Sequence, residues 1–386
     1  MKSLDILKTL VSFKTDSSIG TDYVACADYI ASIMQKSGFD VEIVDGGKGE
    51  IKKPNILAQM LVPHAKDTIL FAAHFDIVPP GEGWHSDPWT LTERDGKFFA
   101  RGSSDNKASI AILAEALDGH KPNVNVKALF ACDEEIGGVD GLGYVTEHHR
   151  DWLSGVTLSW IADSSTAFVG IGSSGVLGGK ITAFGKGGHA GYPHQADNAV
   201  HLLIELLSAI KEYEKISQQR RSKADAPPES PFDKIWGRFN ITMLDAGIKT
   251  NVIPEKAQAG FDLRFLPEEK REDIEMLFRL FFESTAQLLG INAEFSFIYG
   301  HEGYLQEITP AIERFREHVR QVWGDEISFA AELGGNDGPF TFNLGIPTIS
   351  FGPIEADTCF HMPNEFVRPG TLEKMVQVTR KMLCGW

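Results

Sequence analysis

Carboxylates and imidazoles stand where apolar runs end. "TILFAAHFD" (68–76) closes on His74 and Asp76, "VNVKALFACDEE" (124–135) on Asp133, Glu134 and Glu135, and "VTLSWIADSS" (156–165) on Asp163. "ARGSSDNKAS" sets Asp105 just ahead of an apolar segment, and "FHMPNE" sets His361 near the end of the chain. Three adjacent carboxylates repel one another and are costly to desolvate beside a packed core, so they need compensation. Divalent cations supply it. As ligands, His74, Asp105, Glu135, Asp163 and His361 bring three negative charges to the four of two ions, and a hydroxide completes the balance. Histidine and carboxylate without thiolate suit zinc, with cobalt and manganese as alternatives, and leave positions open for water and substrate. Asp76, two residues after His74, is expected to orient the imidazole through its carboxylate. Glu134 remains uncoordinated, a general base for water and then an acid for a leaving amine.

Taken singly, each residue has a plainer explanation. Asp105 could cap a helix, Asp163 could make an Asx turn, His74 and His361 could be hydrogen-bonded structural histidines, and Glu134 and Glu135 could lie in a solvated loop. Five such features gathered at one sheet edge make those explanations the weaker set.

The elements that must gather them follow from periodicity. Residues 3–15 and 22–38 have helical spacing, the three apolar runs read as buried strands, and "ASIAILAEALDGH" (108–120) reads as a helix between two of them. Alternating strand and helix imply an α/β fold, a mostly parallel sheet with helices on both faces. Ligand sites in such sheets lie beyond the carboxyl ends of the strands. Near residue 175 the texture changes: a strand over 175–187, a long helix over 198–216, an exposed loop "SQQRRSKADAPPESP", strands "RFNITMLDAG" and "AQAGFDLRFL", a helix over 271–290 and a strand "AEFSFIYG". That order suits an inserted α+β unit. Helix 309–323, strand 345–352 and a closing helix from 371 then resume the first pattern. The expected division is 1–174 and 300–386 for the α/β domain, with 175–299 inserted. No internal repeat is evident.

Composition sets further limits. The formal net charge of -16 argues against a nucleic-acid or anionic-membrane surface, and no apolar run is long enough to span a bilayer. The four cysteines form no CxxC pair, and Cys26 and Cys132 read as small core residues. With no signal-peptide pattern at the start, a cytoplasmic setting is expected.

The pieces "HFDIVP", "ARGSSDNKAS", "DEEIGG", "GKGGHAGYPHQADNAV", "TNVIPEKAQAGFDLR" and "FHMPNE" occur in that order. Over roughly residues 5–380 the chain thereby resembles the co-catalytic zinc amidohydrolases and peptidases. That group includes succinyl-diaminopimelate desuccinylase, acetylornithine deacetylase, aminoacylase, glutamate carboxypeptidase and carnosinase-type dipeptidases. The resemblance implies that Asp105 bridges two metal ions, with His74 and Asp163 on one and Glu135 and His361 on the other. It implies Glu134 as the base, Asp76 as the orienting residue and His189 as an oxyanion donor reaching a partner subunit's site. It also implies that Asn251, Arg264, Gly335 and Asn336 bind substrate, and that the inserted domain is a lid and makes a homodimer. An arginine fork suits a carboxylate, although a salt bridge would also explain Arg264.

Two departures bear on substrate. Asp163 stands where deacylases and carboxypeptidases of the group usually carry Glu, which resembles the aminopeptidase and dipeptidase branches. In "GGNDGPF" (334–340) Pro339 stands where the desuccinylases carry arginine. The leading expectation is a di-zinc exopeptidase or dipeptidase acting on small peptides by metal-activated water, followed by an N-acyl amino acid deacylase and then a non-catalytic ligand-binding relative. "GIGSSG" (170–175) matches a dinucleotide-binding pattern, but a strand-like run follows it, so that reading is set aside.

Overall fold

A computed structural model of the chain describes residues 2–324 and 327–386. The chain divides into two compact units. The first joins the chain up to Ile171 with Gln306–Ala330 and Asn336–Trp386, and the second joins Gly172–Leu305 with Ala331–Gly335.

The first unit has the expected α/β fold. Its sheet runs Asp40–Asp45, Pro54–Met60, Asn125–Ala131, Thr68–His74, Leu158–Ile161, Thr348–Ser350. The last four pair in parallel, while the first two strands are antiparallel additions at one side. Strand Thr68–His74 is buried throughout. Ile69, Phe71 and Ala73 point into one core, and Leu70 and Ala72 into another. A strand buried on both faces reads as an unbroken apolar run, which is why "TILFAA" carries no polar alternation. Helices Lys2–Ser12, Tyr23–Lys36, Lys107–Ala116, Pro310–Trp323 and Pro369–Cys384 line the larger core, which also takes in Cys26 and Cys132. Thr309 caps one of these helices by accepting from the Ile312 amide, with Pro310 following at the first helical position.

The second unit is a four-stranded antiparallel sheet in the order Arg238–Ala246, Lys256–Phe265, Gly175–Phe184, Ala293–His301. Alternate residues Ala257, Ala259, Phe261, Leu263 and Phe265 are buried. They meet helices Ala199–Ile210 and Arg271–Leu289 around a cluster of aromatic rings, with Phe261 and Phe278 centroids 4.7 Å apart. Gly178 and Gly179 are needed here. A Cβ at Gly178 would lie 2.0 Å from the Tyr299 ring, and one at Gly179 would lie 2.2 Å from the Phe261 ring.

Three local expectations need correction. The helix expected over 198–216 is two helices, Ala199–Ile210 and Glu212–Gln219, and the second seats Tyr213 among Phe239, Phe278 and Phe281. The expected loop after it contains strand Arg221–Asp225, paired with Lys234–Trp236. Its sequence alternates long charged residues with small ones, and Ser222 and Ala224 face inward. The strand expected over 345–352 is confined to Thr348–Ser350, and the closing helix begins at Pro369.

Trp160 sits wholly buried between Phe71 and Phe315, each centroid 4.9 Å away and edge-on, and donates from Nε1 to the Phe351 carbonyl at 2.7 Å. Trp160→Ala should destabilise the first unit by about 3–5 kcal/mol through the cavity it leaves. Urea unfolding followed by circular dichroism would read this as a lowered midpoint.

Candidate metal centre

Parallel strands 68–74, 125–131 and 158–161 deliver their carboxyl ends to one edge of the sheet, so His74, Glu134, Glu135 and Asp163 come together although far apart in sequence. Asp105 arrives just before helix Lys107–Ala116. The buried Lys107 ammonium anchors the start of that helix, donating to the Leu10 and Phe13 carbonyls at 3.0 and 2.8 Å. His361 comes from the loop between strand Thr348–Ser350 and Phe366–Val367.

Asp105 is the centre of the arrangement. Its Oδ1 lies 3.0 Å from His74 Nε2, and its Oδ2 lies 3.1 Å from His361 Nε2. Asp163 Oδ2 is 3.5 Å from the same His74 nitrogen, and Glu135 Oε2 is 3.0 Å from His361 Nε2. The five expected ligands therefore fall into two half-sites sharing one carboxylate. Two overlapping sets of potential ligand atoms, His74–Asp105–Glu135 and His74–Glu134–Asp163, each lie within 4.8 Å of one another among the described residues.

The donor set fits a divalent cation on an observation independent of any relative. His74 Nδ1 lies 3.0 Å from the Asp76 carbonyl oxygen, which only accepts, so Nδ1 carries the proton and Nε2 presents its lone pair to two carboxylates. That juxtaposition requires either an extra proton or a cation between them. Without a cation, protons take the strain. Burial alone would depress His74, but the charge of Asp163 and the hydrogen bonds that the Asp105, Asp163 and Asp76 carboxylates accept from it outweigh this and hold the imidazole well above its ordinary value. Hydrogen bonds that the Asp105 and Glu135 carboxylates accept from His361 push it up to about 10. Burial, then the neighbouring Asp105 charge, pushes Glu135 up to about 7 and raises Asp163. Glu134 is held well above the ordinary carboxylate range by burial, with Asp163, Asp337 and Glu135 adding repulsion.

Asp76 meets His74 twice, with its carbonyl oxygen 3.0 Å and its carboxylate 3.4 Å from Nδ1. That carboxylate also accepts from the Glu134 and Glu135 amides at 3.3 and 3.1 Å, fixing the turn that carries both glutamates. Asp133 faces away, pairing with Lys53 and accepting from the Asp140 amide at 2.8 Å. Sequence reasoning missed Lys53, and it also missed Asn106, whose Nδ2 donates to the Ala162 carbonyl at 2.7 Å and to Asp163 at 3.3 Å. It missed Asp337 too. Asp337 is buried over the "DEEIGG" turn, where a Cβ at Gly138 would lie 2.2 Å from its Oδ1. None of the three could be found from spacing, because each is defined by a contact distant in sequence.

The other candidate residues belong mainly to the second unit. His189 is exposed on a short strand paired with Val252–Ile253, and the Ala190 amide donates to the Asn251 carbonyl at 3.1 Å. Its Nδ1 accepts from the Gly191 amide at 3.0 Å, which leaves Nε2–H as an outward donor. Arg264 grips Asp262 with two hydrogen bonds of 2.9 and 3.0 Å, the salt-bridge alternative in geometric form. Gly335 is open, and Asn336, in the first unit, accepts from the Gly338 amide at 2.9 Å. The "GIGSSG" stretch runs through strand Phe168–Ser173 directly into strand Gly175–Phe184, with no helix after it.

The model of peptidase family M20/M25/M40 matches residues 70–384. A succinyl-diaminopimelate desuccinylase of Acidovorax ebreus (strain TPSY) is 27% identical, covering 95% of this chain and 94% of the relative. Human carnosine dipeptidase 1 superposes with a TM-score of 0.81 at 19% identity, over 98% of this chain and 94% of that one. A metallo-carboxypeptidase from Sulfolobus solfataricus superposes at 0.82 and 19% identity, over 99% and 98% of the two chains. At such identities the two structures establish the fold, and the family match establishes more: the chain belongs to peptidase family M20/M25/M40 and is a metal-dependent hydrolase.

Proposed function

We propose that the chain hydrolyses the amide bond of small unblocked peptides, as an exopeptidase or dipeptidase. The observation that carries hydrolysis is the pair of half-sites joined by Asp105, with Glu134 beside them. His74 and Asp163 would hold one divalent ion, His361 and Glu135 the other, and Asp105 both, with zinc foremost and cobalt or manganese as alternatives. When bound, such ions polarise a carbonyl and acidify water.

The chain's own residues supply the rest. Glu134 takes a proton from the attacking water and passes it to the leaving nitrogen, and its raised affinity for protons suits both halves of that task. Asp76 keeps Glu134 in place through the backbone amides. His189, from a second copy of the chain, donates from Nε2 to the developing oxyanion. Asn251 binds the substrate's amide oxygen, Arg264 binds its carboxylate by sharing its guanidinium with Asp262, and Gly335 and Asn336 also contact the substrate. The inserted unit acts as lid and homodimer contact. The four free cysteines accord with a cytoplasmic setting.

Asp163 and Pro339 favour an unblocked substrate. A second reading, deacylation of N-acyl amino acids, is favoured by the desuccinylase relatives that match nearly the full chain. A purely ligand-binding role is disfavoured, because every ligand position and Glu134 are filled by competent residues.

With zinc, cobalt or manganese supplied, unblocked dipeptides should turn over faster than N-acetyl or N-succinyl amino acids; the reverse preference would establish the deacylase. Glu134→Gln should lower kcat/KM by about 10²–10⁴-fold while two ions per chain remain by elemental analysis. A third test uses the chelated protein. His361 has an ordinary value of 6.5 and a folded value of about 10. Its stabilising contribution is therefore complete below pH 6.5 and lost as pH climbs through 10. The melting-temperature gap between chelated wild type and His361→Ala should close across that window.

A further inference from the structure

Behind the metal centre lies a carboxylate to which none of the proposed chemistry assigns a task. Glu365 is completely buried, four residues after His361. Its Oε2 accepts from Arg101 NH1 at 2.7 Å and the Gly102 amide at 2.9 Å. Its Oε1 accepts from the Ser104 amide at 2.8 Å, the Ser104 hydroxyl at 3.1 Å and the Asp105 amide at 3.1 Å. The Glu365 carbonyl accepts in turn from the Ala100 amide at 3.1 Å. One side chain thus gathers the Gly102, Ser104 and Asp105 amides, the Ser104 hydroxyl and the Arg101 guanidinium of the segment that ends in Asp105.

The loop on the His361 side needs such an anchor. Cys359, His361 and Asn364 have φ values of 55°, 61° and 66°, a left-handed conformation that non-glycine residues seldom adopt. Surrounding structure must hold them there. Arg101 is 1% exposed, and its guanidinium lies 5.4 Å over the Trp84 ring, so the pair buries two opposite charges and adds no net charge to the carboxylate cluster. A buried ion pair is weak evidence for stability, and conformational specificity is its better-attested use.

We propose that Glu365 is a positioning residue. It fixes the Asp105 segment against the loop that presents His361, so that the shared carboxylate and the second histidine are set at one spacing before any cation arrives. This rests on the metal-centre reading above. It places Glu365 in the metal's outer shell, where substitutions typically weaken binding 10–100-fold.

The test is zinc binding by competition with a chromophoric chelator, on wild type and E365Q, with the thermal midpoint of each chelated protein measured alongside. Glutamine supplies one acceptor oxygen where two are used, turns an NH₂ toward backbone donors and leaves Arg101 uncompensated. The expected result is a zinc Kd raised about 10–100-fold for the half-site of His361 and Glu135. Glu365→Asp keeps the charge one methylene short. It is the variant to read should E365Q fail to fold, with a smaller loss in the same direction. An unchanged Kd in a folded variant overturns the proposal, even if the chelated protein melts earlier, because Glu365 then acts on stability alone. Wild-type protein that binds no zinc defeats the metal-centre reading itself, a distinct outcome.

Discussion

Crowded negative charge is the constraint on which the first unit is built. Glu134, Glu135 and Asp163 converge because three parallel strands end side by side, and Asp105 joins them from the start of a helix, in two sets of potential ligand atoms that each lie within 4.8 Å of one another among the described residues. Repulsion at that spacing is opposed by specific devices. Lys53 removes Asp133 from the cluster, the Asp76 carboxylate is held by two backbone amides and the His74 imidazole, and Arg101 neutralises Glu365. What is left unneutralised is the set of oxygens and imidazole nitrogens that a cation pair would need. The surrounding acids Asp133, Asp76 and Glu365 are compensated one by one, and those of the candidate metal centre are left in excess.

Much of this was legible in the chain itself. A strand buried on both faces has no reason to end in His-x-Asp or Asp-Glu-Glu unless its end is used, so "HFD", "DEE" and Asp163 pointed to the candidate metal centre. Asp105 and His361 joined it through spacing and resemblance. The outer layer was not legible. Asp76 meets His74 through its carbonyl as well as its carboxylate, an addition that spacing alone does not give and that the turn after strand 68–74 sets. Glu365 and Arg101 are 264 residues apart in sequence. Ribbon Arg221–Asp225 was hidden by a polar composition that reads as loop, although its alternation of long and small residues is that of an edge strand with one face inward.

The second unit shows a different economy. Its core is aromatic and its sheet is antiparallel, so one face can carry polar work while the other packs. The candidate substrate-binding arginine lies on the polar face, already engaged with Asp262. An arginine held this way keeps its fork in one plane, which lowers the entropy lost when a carboxylate arrives and sets a cost on displacing the resident partner.

The path of the chain through the first sheet carries a consequence for biosynthesis. Thr348–Ser350 pairs in parallel with Ser159–Ile161, and the Asn123 amide donates to the Leu383 carbonyl close to the last residue. That unit is incomplete until the segment through Leu383 has been made, whereas Gly172–Leu305 of the other is continuous and emerges earlier. A ribosome-bound intermediate would thus hold a completed aromatic core beside parallel strands that still lack their last neighbour. Open edges of buried apolar strands are adhesive, so the interval between synthesis of residue 305 and of residue 383 is when this chain most needs protection from its own kind.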